Sequence, residues 1–250
     1  MEYKKFVIII PSYNNSKWYE QNILSAVGQD YPEEHYRIIY KNDCSTDGTG
    51  DLVGNLIAKN GWKNIELINN TERKGALHNI YDMVHSADDF EICVDLDADD
   101  KFSGSHVLNR LNQEYQNPDV WMTWGSYLDS SNNCRGCCKP YEQFVIDTNT
   151  YNRMSWRGSH CRTRYAKLFK KIKQEDLMYQ GKFFMSAWDL SYQLRMMSMC
   201  GGRFSYINDI LYIYNNDNPI SDYKIRAQEQ AFFDGYIRKQ KPYEKLDKLW

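Results

Sequence analysis

Residues 92–100 read ICVDLDADD, an apolar run that ends in four carboxylates, Asp95, Asp97, Asp99 and Asp100. The run has the length and β-branched content of a buried strand. Like charges this close repel and raise one another's pKa unless something positive sits among them. In an extended chain alternate side chains share a face, which predicts Asp95, Asp97 and Asp99 on one side and Val94, Leu96 and Ala98 on the other. Clustered oxygen ligands suit a hard divalent cation such as Mg²⁺ or Mn²⁺. An EF-hand calcium loop is excluded by spacing, because Asp100 stands where glycine is needed and His106 where the bidentate glutamate is needed. Mg²⁺ takes only one or two protein carboxylates and fills its shell with water and substrate phosphates, so the cation implies a diphosphate partner. The competing reading is a solvated acidic turn.

Three earlier runs share the strand character: FVIII (6–10), YRIIY (36–40) and NIELI (64–68). Segments with helical spacing follow each, at 16–28, 47–60 and 75–86; Ser45 and Thr46 are candidate caps for the second, and the Asn-Gly at 60–61 stops it. Strand–helix alternation with short links predicts a mostly parallel α/β sheet with helices on both faces, and a ligand crevice at the carboxyl ends of the strands. PSYNN, NDCSTDGT, NNTERKG and DADD stand at those ends, so four segments converge on one polar site. Beyond 101 the expectation is a helix at 104–116, a strand at 120–128 and a cysteine-rich loop. A basic stretch at 153–173, a helix near 186–199 and two short strands or a hairpin within RFSYINDILYIYNNDNP follow, then a final helix at 221–240.

The 250 residues are 42% apolar and 26% charged, enough for one large domain with a substantial core, and the formal charge of −2 supplies no global field for nucleic acid or an anionic membrane. The longest opening apolar run is five residues, too short to span a bilayer. Seven cysteines, odd in number and scattered, fit a reducing compartment, so a cytoplasmic location or the cytosolic face of a membrane is expected.

VIIIPSYNN, KNDCSTDGT, RKGALHN and DLDADD, in this order, resemble the nucleotide-sugar-binding half of family 2 glycosyltransferases of GT-A fold. In the carboxyl half, GSHCRTRYAKLF, GKFFMSAWDLS and YIYNNDNPISD resemble a subgroup with a histidine–arginine segment, an acidic residue opening a helix and an asparagine-rich loop. The resemblance implies one GT-A domain over 1–250: a nucleotide-sugar half (1–102), an α+β acceptor half (103–222) and a C-terminal helical extension (223–250). It implies transfer of a sugar, with inversion, from a nucleotide diphosphate sugar, a UDP-sugar by the uracil-recognising pattern, to a hydroxyl on a glycan, a lipid-linked sugar or a protein. A homo-oligomer is compatible with it, as is membership of a longer chain.

Residue roles follow from the same resemblance. Tyr13 stacks on the base, Asp43 accepts from a uracil N–H, and Pro11 and Asn15 line the nucleotide site. Arg73 and Lys74 neutralise the diphosphate or brace the base. Asp97 contacts ribose or metal, Asp99 is the principal metal ligand and Asp100 a secondary one. Asp95 is a supporting residue. Asn42 and Cys44 stand where the family has aspartate and glycine. Asp189 is the candidate base, with Ser186 capping its helix. His160 and Arg162 contact the diphosphate or acceptor, although a lone histidine is more often a packed core residue. Asn215, Asp217 and Asn218 read foremost as turn formers.

Three rivals remain. Cys134, Cys137, His160 and Cys161 offer a poor zinc clasp, because the second pair is adjacent in sequence. A nucleotidyltransferase would carry a glycine-rich phosphate loop after the first strand, where PSYNNSKW stands. A non-catalytic nucleotide-sugar or glycan binder would be expected to lose the aspartates.

Overall fold

A computed structural model describes residues 2–250. Its amino-terminal half alternates as expected: β1 (Phe6–Ser12), α1 (Tyr19–Val27), β2 (Tyr36–Asn42), α2 (Thr49–Asn60), β3 (Ile65–Asn69), α3 (Ala76–Ser86) and β4 (Ile92–Asp95). A two-residue strand β5 (Lys101–Phe102) leads to α4 (Val107–Glu114), β6 (Met122–Asp129), α5 (Gln143–Thr148), β7 (Thr163–Tyr165) and α6 (Ala166–Phe169). A small hairpin, β8 (Met178–Tyr179) and β9 (Lys182–Phe183), precedes α7 (Trp188–Cys200), β10 (Phe204–Tyr214), α8 (Asp222–Ile225) and α9 (Ala227–Lys239).

One eight-stranded sheet, in the order β3-β2-β1-β4-β7-β6-β10-β5, runs through both halves of the chain. The first four strands pair in parallel, with Ile8 opposite both Ile38 and Val94. Helices cover both faces, so Phe6–Ile10 of β1 is apolar without interruption. Phe6, Ile8 and Ile10 enter one core with Ile23, Val53 and Tyr212, while Val7 and Ile9 enter the other with Leu77, Trp124 and Met197. Each such side chain contributes about 1.5–3 kcal/mol by leaving water.

The carboxyl half departs from the sequence reading at definite points. RFSYINDILYIY forms no hairpin: β10 is one strand of 11 residues parallel to β6, with register shifts after Ile207 and Ile210. The Asn-Asp pair that reads as a turn is absorbed in these irregularities, its Asp209 held by Arg110 at 2.7 Å. The expected final helix is two, α8 and α9. The last residues are no loose extension, because Leu249 is buried and Trp250 stacks on Phe90 at 4.2 Å.

Two expected caps differ as well. At α2 the cap position is Gly48 in left-handed backbone, and Asp47 accepts the Thr49 N–H at 3.1 Å in place of Ser45 or Thr46. Gly61, at φ 67°, ends that helix by donating to the Ile57 carbonyl at 2.9 Å. At α7 Ser186 donates to Glu229 instead of capping. Among the described residues no helix is long and apolar enough to cross a membrane.

Strand β7 decides how the halves join. It lies antiparallel between β4 and β6, with Thr163 opposite both Val94 and Thr123, inside the segment that reads only as basic. It brings Arg164, fully buried, into an ion pair with the buried Asp95, and the guanidinium packs over the rings of Phe169 and Tyr192. Removing one partner of a buried pair leaves the other charge uncompensated. Arg164→Ala is therefore expected to lower the unfolding free energy by about 3–5 kcal/mol in a urea titration, and a loss near zero would show that the pair is not structural.

Candidate active site

The loops after β1, β2, β3 and β4 open onto one cleft of about 580 Å³. Pro11, Tyr13 and Asn15 line it from the first, Asp43 from the second, Arg73 from the third, and Asp97, Asp99 and Asp100 from the fourth. The first two loops are locked together. Asn14 accepts the Thr46 N–H, the Asn15 N–H donates to Thr49 Oγ1, and the Ser16 N–H donates to Asp47 Oδ2, each at 2.9 Å. Asp43 is buried and accepts from the Lys74 and Gly75 N–H groups at 2.8 Å and from Asn70 Nδ2 at 2.9 Å. Burial alone would raise its carboxyl; the hydrogen bonds outweigh it and hold the pKa below the ordinary value. Lys74 thus meets the site through its backbone, and its side chain does not line the cleft. Arg73 stacks on Tyr13 at 3.6 Å, so one face of that ring already carries a cation.

The acidic stretch is not one strand face. β4 ends at Asp95, which lies buried beneath the cleft, and Asp97–Asp100 form a turn closed by the Asp100 N–H on the Asp97 carbonyl at 2.9 Å. Asn22 of α1, fully buried, donates to the carbonyls of Asp97 and Asp100 at 2.9 and 2.8 Å, and the Tyr212 hydroxyl accepts the Asp97 N–H at 3.0 Å. Burial raises the pKa values of Asp99 and Asp100, and it raises Asp97 to about 7, helped by Asp99 and Asp95 against the pull of Arg162. Asp99 accepts from Asn218 Nδ2 at 2.7 Å, and Asp100 from the Asn215 N–H at 2.6 Å. Asn215 and Asn218 are turn formers as expected, each accepting the N–H two residues on. Asn218 also reaches the acidic cluster.

Arg162, 2% exposed, sits beneath this cluster. Its guanidinium lies 3.3 Å from Asp95 and from Asp97, and 3.6 Å from Asp189 at the start of α7. Burial raises the Asp189 carboxyl, and Arg162 opposes the rise. His160 stacks on Tyr212 at 4.3 Å, and its unpartnered Nδ1 lies 3.9 Å from Asp97. Burial and Arg162 push its pKa well down, so the ring is neutral, the form that binds metals. One ligand atom from each of Asp97, Asp100 and His160 falls within 4.8 Å of the others, the sole such group of three or more His, Cys, Asp or Glu residues among those described. Cys134, Cys137 and Cys161 do not join it, and Cys134 and Cys137 are exposed while Cys161 is buried.

The description of Glycosyl transferase family 2 matches residues 7–210. The chain belongs to this family. A glucuronosyltransferase of Methanococcus voltae that acts on dolichyl N-acetylglucosaminyl phosphate is 37% identical over 67 residues, 27% of this chain and 21% of that one. The poly(ribitol-phosphate) β-N-acetylglucosaminyltransferase TarS of Staphylococcus aureus is 30% identical over 93 residues, 37% of this chain and 16% of its own. The matched part is thus about a fifth or less of these relatives. Among solved structures, TarS 1–349 with UDP-GlcNAc superposes with a TM-score of 0.62 at 18% identity, covering 86% of this chain and 59% of that one. The mannosyltransferase PcManGT of Pyrobaculum calidifontis, solved with GDP-Man and Mn²⁺, superposes at 0.65 with 18% identity, covering 97% and 66%. The fold is therefore the GT-A fold.

Two family departures have local accommodations. Cys44 takes the left-handed backbone, φ 59°, that glycine adopts freely. Asn42, in an aspartate's place, donates to Asn69 at 2.8 Å and accepts from Ser45 at 2.5 Å, so it braces β2 against β3. Asn22 carries no sequence signal, whereas Tyr212 and Asp222 are the first and last residues of YIYNNDNPISD, whose resemblance marks the segment without assigning either residue a role. Asp43 supplies a pH test. Its folded pKa lies below the unfolded value of about 3.9, so its stabilisation is present above that value and lost as pH falls through the folded pKa. Asp43→Asn should flatten the loss of stability below about pH 4 in acid titrations, and an unchanged slope would remove Asp43 as its source.

Proposed function

We propose that the chain transfers a sugar from a UDP-sugar to a hydroxyl acceptor, with inversion and with a bound Mn²⁺ or Mg²⁺. The observation that carries this reading is the placement of Asp43, the Asp97–Asp100 turn and Asp189 around one cleft. The residues present fit a hard cation: Asp97, Asp100 and neutral His160 converge, and the buried Asp100 Oδ2 has no partner. Asp99 stays in the proposed set as a further oxygen ligand. A cation held there would stabilise charge on the departing nucleotide.

The chain's own residues supply the rest. Asp43 and Tyr13 hold the base, and Arg73 stands beside them. Asp189 takes the proton from the attacking hydroxyl, and its raised pKa makes it the stronger base while Arg162 favours its ionised form. Relatives solved with UDP and UDP-GlcNAc support the choice of a uridine donor.

Asp189→Asn is expected to cut turnover of UDP-GlcNAc, by hydrolysis or transfer, roughly 10²–10⁴-fold with donor affinity unchanged; retained turnover or lost affinity would overturn the assignment. Only ionised Asp189 accepts a proton, so wild-type kcat should rise with pH through its raised pKa and then level. Chelation of divalent cations should abolish the increase in melting temperature given by UDP with Mn²⁺, since a ligand of the native state stabilises it. Asp99→Ala should reduce that increase, and an equal increase in the variant speaks against its metal role.

A further inference from the structure

One wall of the cleft has residues that the donor reading leaves unused: Trp156, Trp188, Asp222, Tyr223, Arg226 and Gln230. Charge decides what this wall can take. Seven aspartates and three arginines line the whole cleft, with no lysine. With the seven carboxylates ionised a divalent cation leaves the balance negative, and a donor diphosphate makes it more so. The three arginines are already engaged. Arg162 is shared by Asp95, Asp97 and Asp189; Arg73 lies on Tyr13; and Arg226 lies 3.6 Å from Asp222 and 3.0 Å from Glu229. Lys224, nearby, is directed to the Asn216 and Asn218 carbonyls. A phosphate-bearing acceptor would therefore meet repulsion and, with Arg162 and Arg226 paired to carboxylates, would have to compete with the donor diphosphate for Arg73.

The same wall suits hydroxyls. The Asp222 side chain is 38% exposed, and an ionised carboxylate is an acceptor with about four lone-pair sites, able to take paired hydroxyl donors. Half-buried Trp188 and Trp156 offer ring faces whose negative charge attracts polarised C–H groups. We propose that this wall binds an uncharged carbohydrate acceptor, with Asp222 accepting hydrogen bonds from its hydroxyls and the Trp188 ring packing on its C–H face. This rests on the reading of the cleft as a nucleotide-sugar site. Burial raises the Asp222 carboxyl, and Arg226 and the Trp188 indole N–H oppose the rise, favouring the ionised form that accepts from hydroxyls.

The test titrates methyl β-glycosides of glucose, galactose and N-acetylglucosamine, and the matching sugar monophosphates, into the 250-residue chain with Mn²⁺ and UDP present. Binding is read by saturation-transfer NMR and calorimetry. At least one neutral glycoside should bind, more tightly than its phosphate. Asp222→Asn should weaken it roughly tenfold or more, Asp222→Glu should restore part of the loss, and the Kd for UDP with Mn²⁺ should not move. A phosphate that binds better than its neutral counterpart, unchanged glycoside affinity in Asp222→Asn, or no binding by any neutral glycoside would each overturn the proposal. Failure of UDP with Mn²⁺ to bind the wild-type chain would instead overturn the donor reading, while the ranking of glycosides against phosphates would still be measurable.

Discussion

A buried guanidinium organises the centre of the molecule. Arg162 is 2% exposed and faces Asp95, Asp97 and Asp189, three carboxylates carried by two different elements and the turn between them. A charge taken out of water is tolerable only where partners replace the lost hydration. The acids that crowd the end of β4 are tolerable for the same reason, with Arg164 on the far side of Asp95 and Tyr192 donating to it at 2.7 Å. The positive charges that the acidic stretch demands are thus supplied from the other half of the chain, by Arg164 of β7 and by Arg162 just before that strand.

That arrangement ties chemistry to fold. β7 completes the sheet between β4 and β6, so the contact that makes the sheet continuous also sets the arginines beneath the cleft. Arg162 connects the acidic turn to the start of α7, the two places where a donor and an acceptor would be handled. Asn22 works from the other side, shaping the Asp97–Asp100 turn through backbone carbonyls.

The relatives frame how far the family reaches. The GT-A fold is shared with proteins solved with uridine and guanosine donors, at identities below 25%. At that distance the likeness shows the fold alone, so the cleft must be read from this chain's own residues. The negative balance of the cleft and the aromatic residues Trp156, Trp188 and Tyr223 that line it are read from this chain's own residues.

By itself the sequence determined the alternating half of the sheet, since apolar runs of strand length and their turn residues are local signals, and it determined that four polar loops meet at one end. It also marked Asp43, the acidic turn and Asp189 by motif. The three-residue β7 escaped because Thr-Arg-Tyr has no periodicity to detect, and its pairing is fixed by neighbours far away in the chain. The bulged β10 escaped because Asn-Asp reads locally as a turn, whereas pairing with β6 and β5 keeps it extended. Asn22 escaped, and Tyr212 and Asp222 had no role assigned within YIYNNDNPISD, because a polar residue's role is set by what it faces. Only the tertiary structure decided that Asp95 is a buried ion-pair partner while Asp97, Asp99 and Asp100 line the cleft: the strand ends between them, and the turn that follows carries the later carboxylates to the cleft while Asp95 stays in the sheet against Arg162 and Arg164.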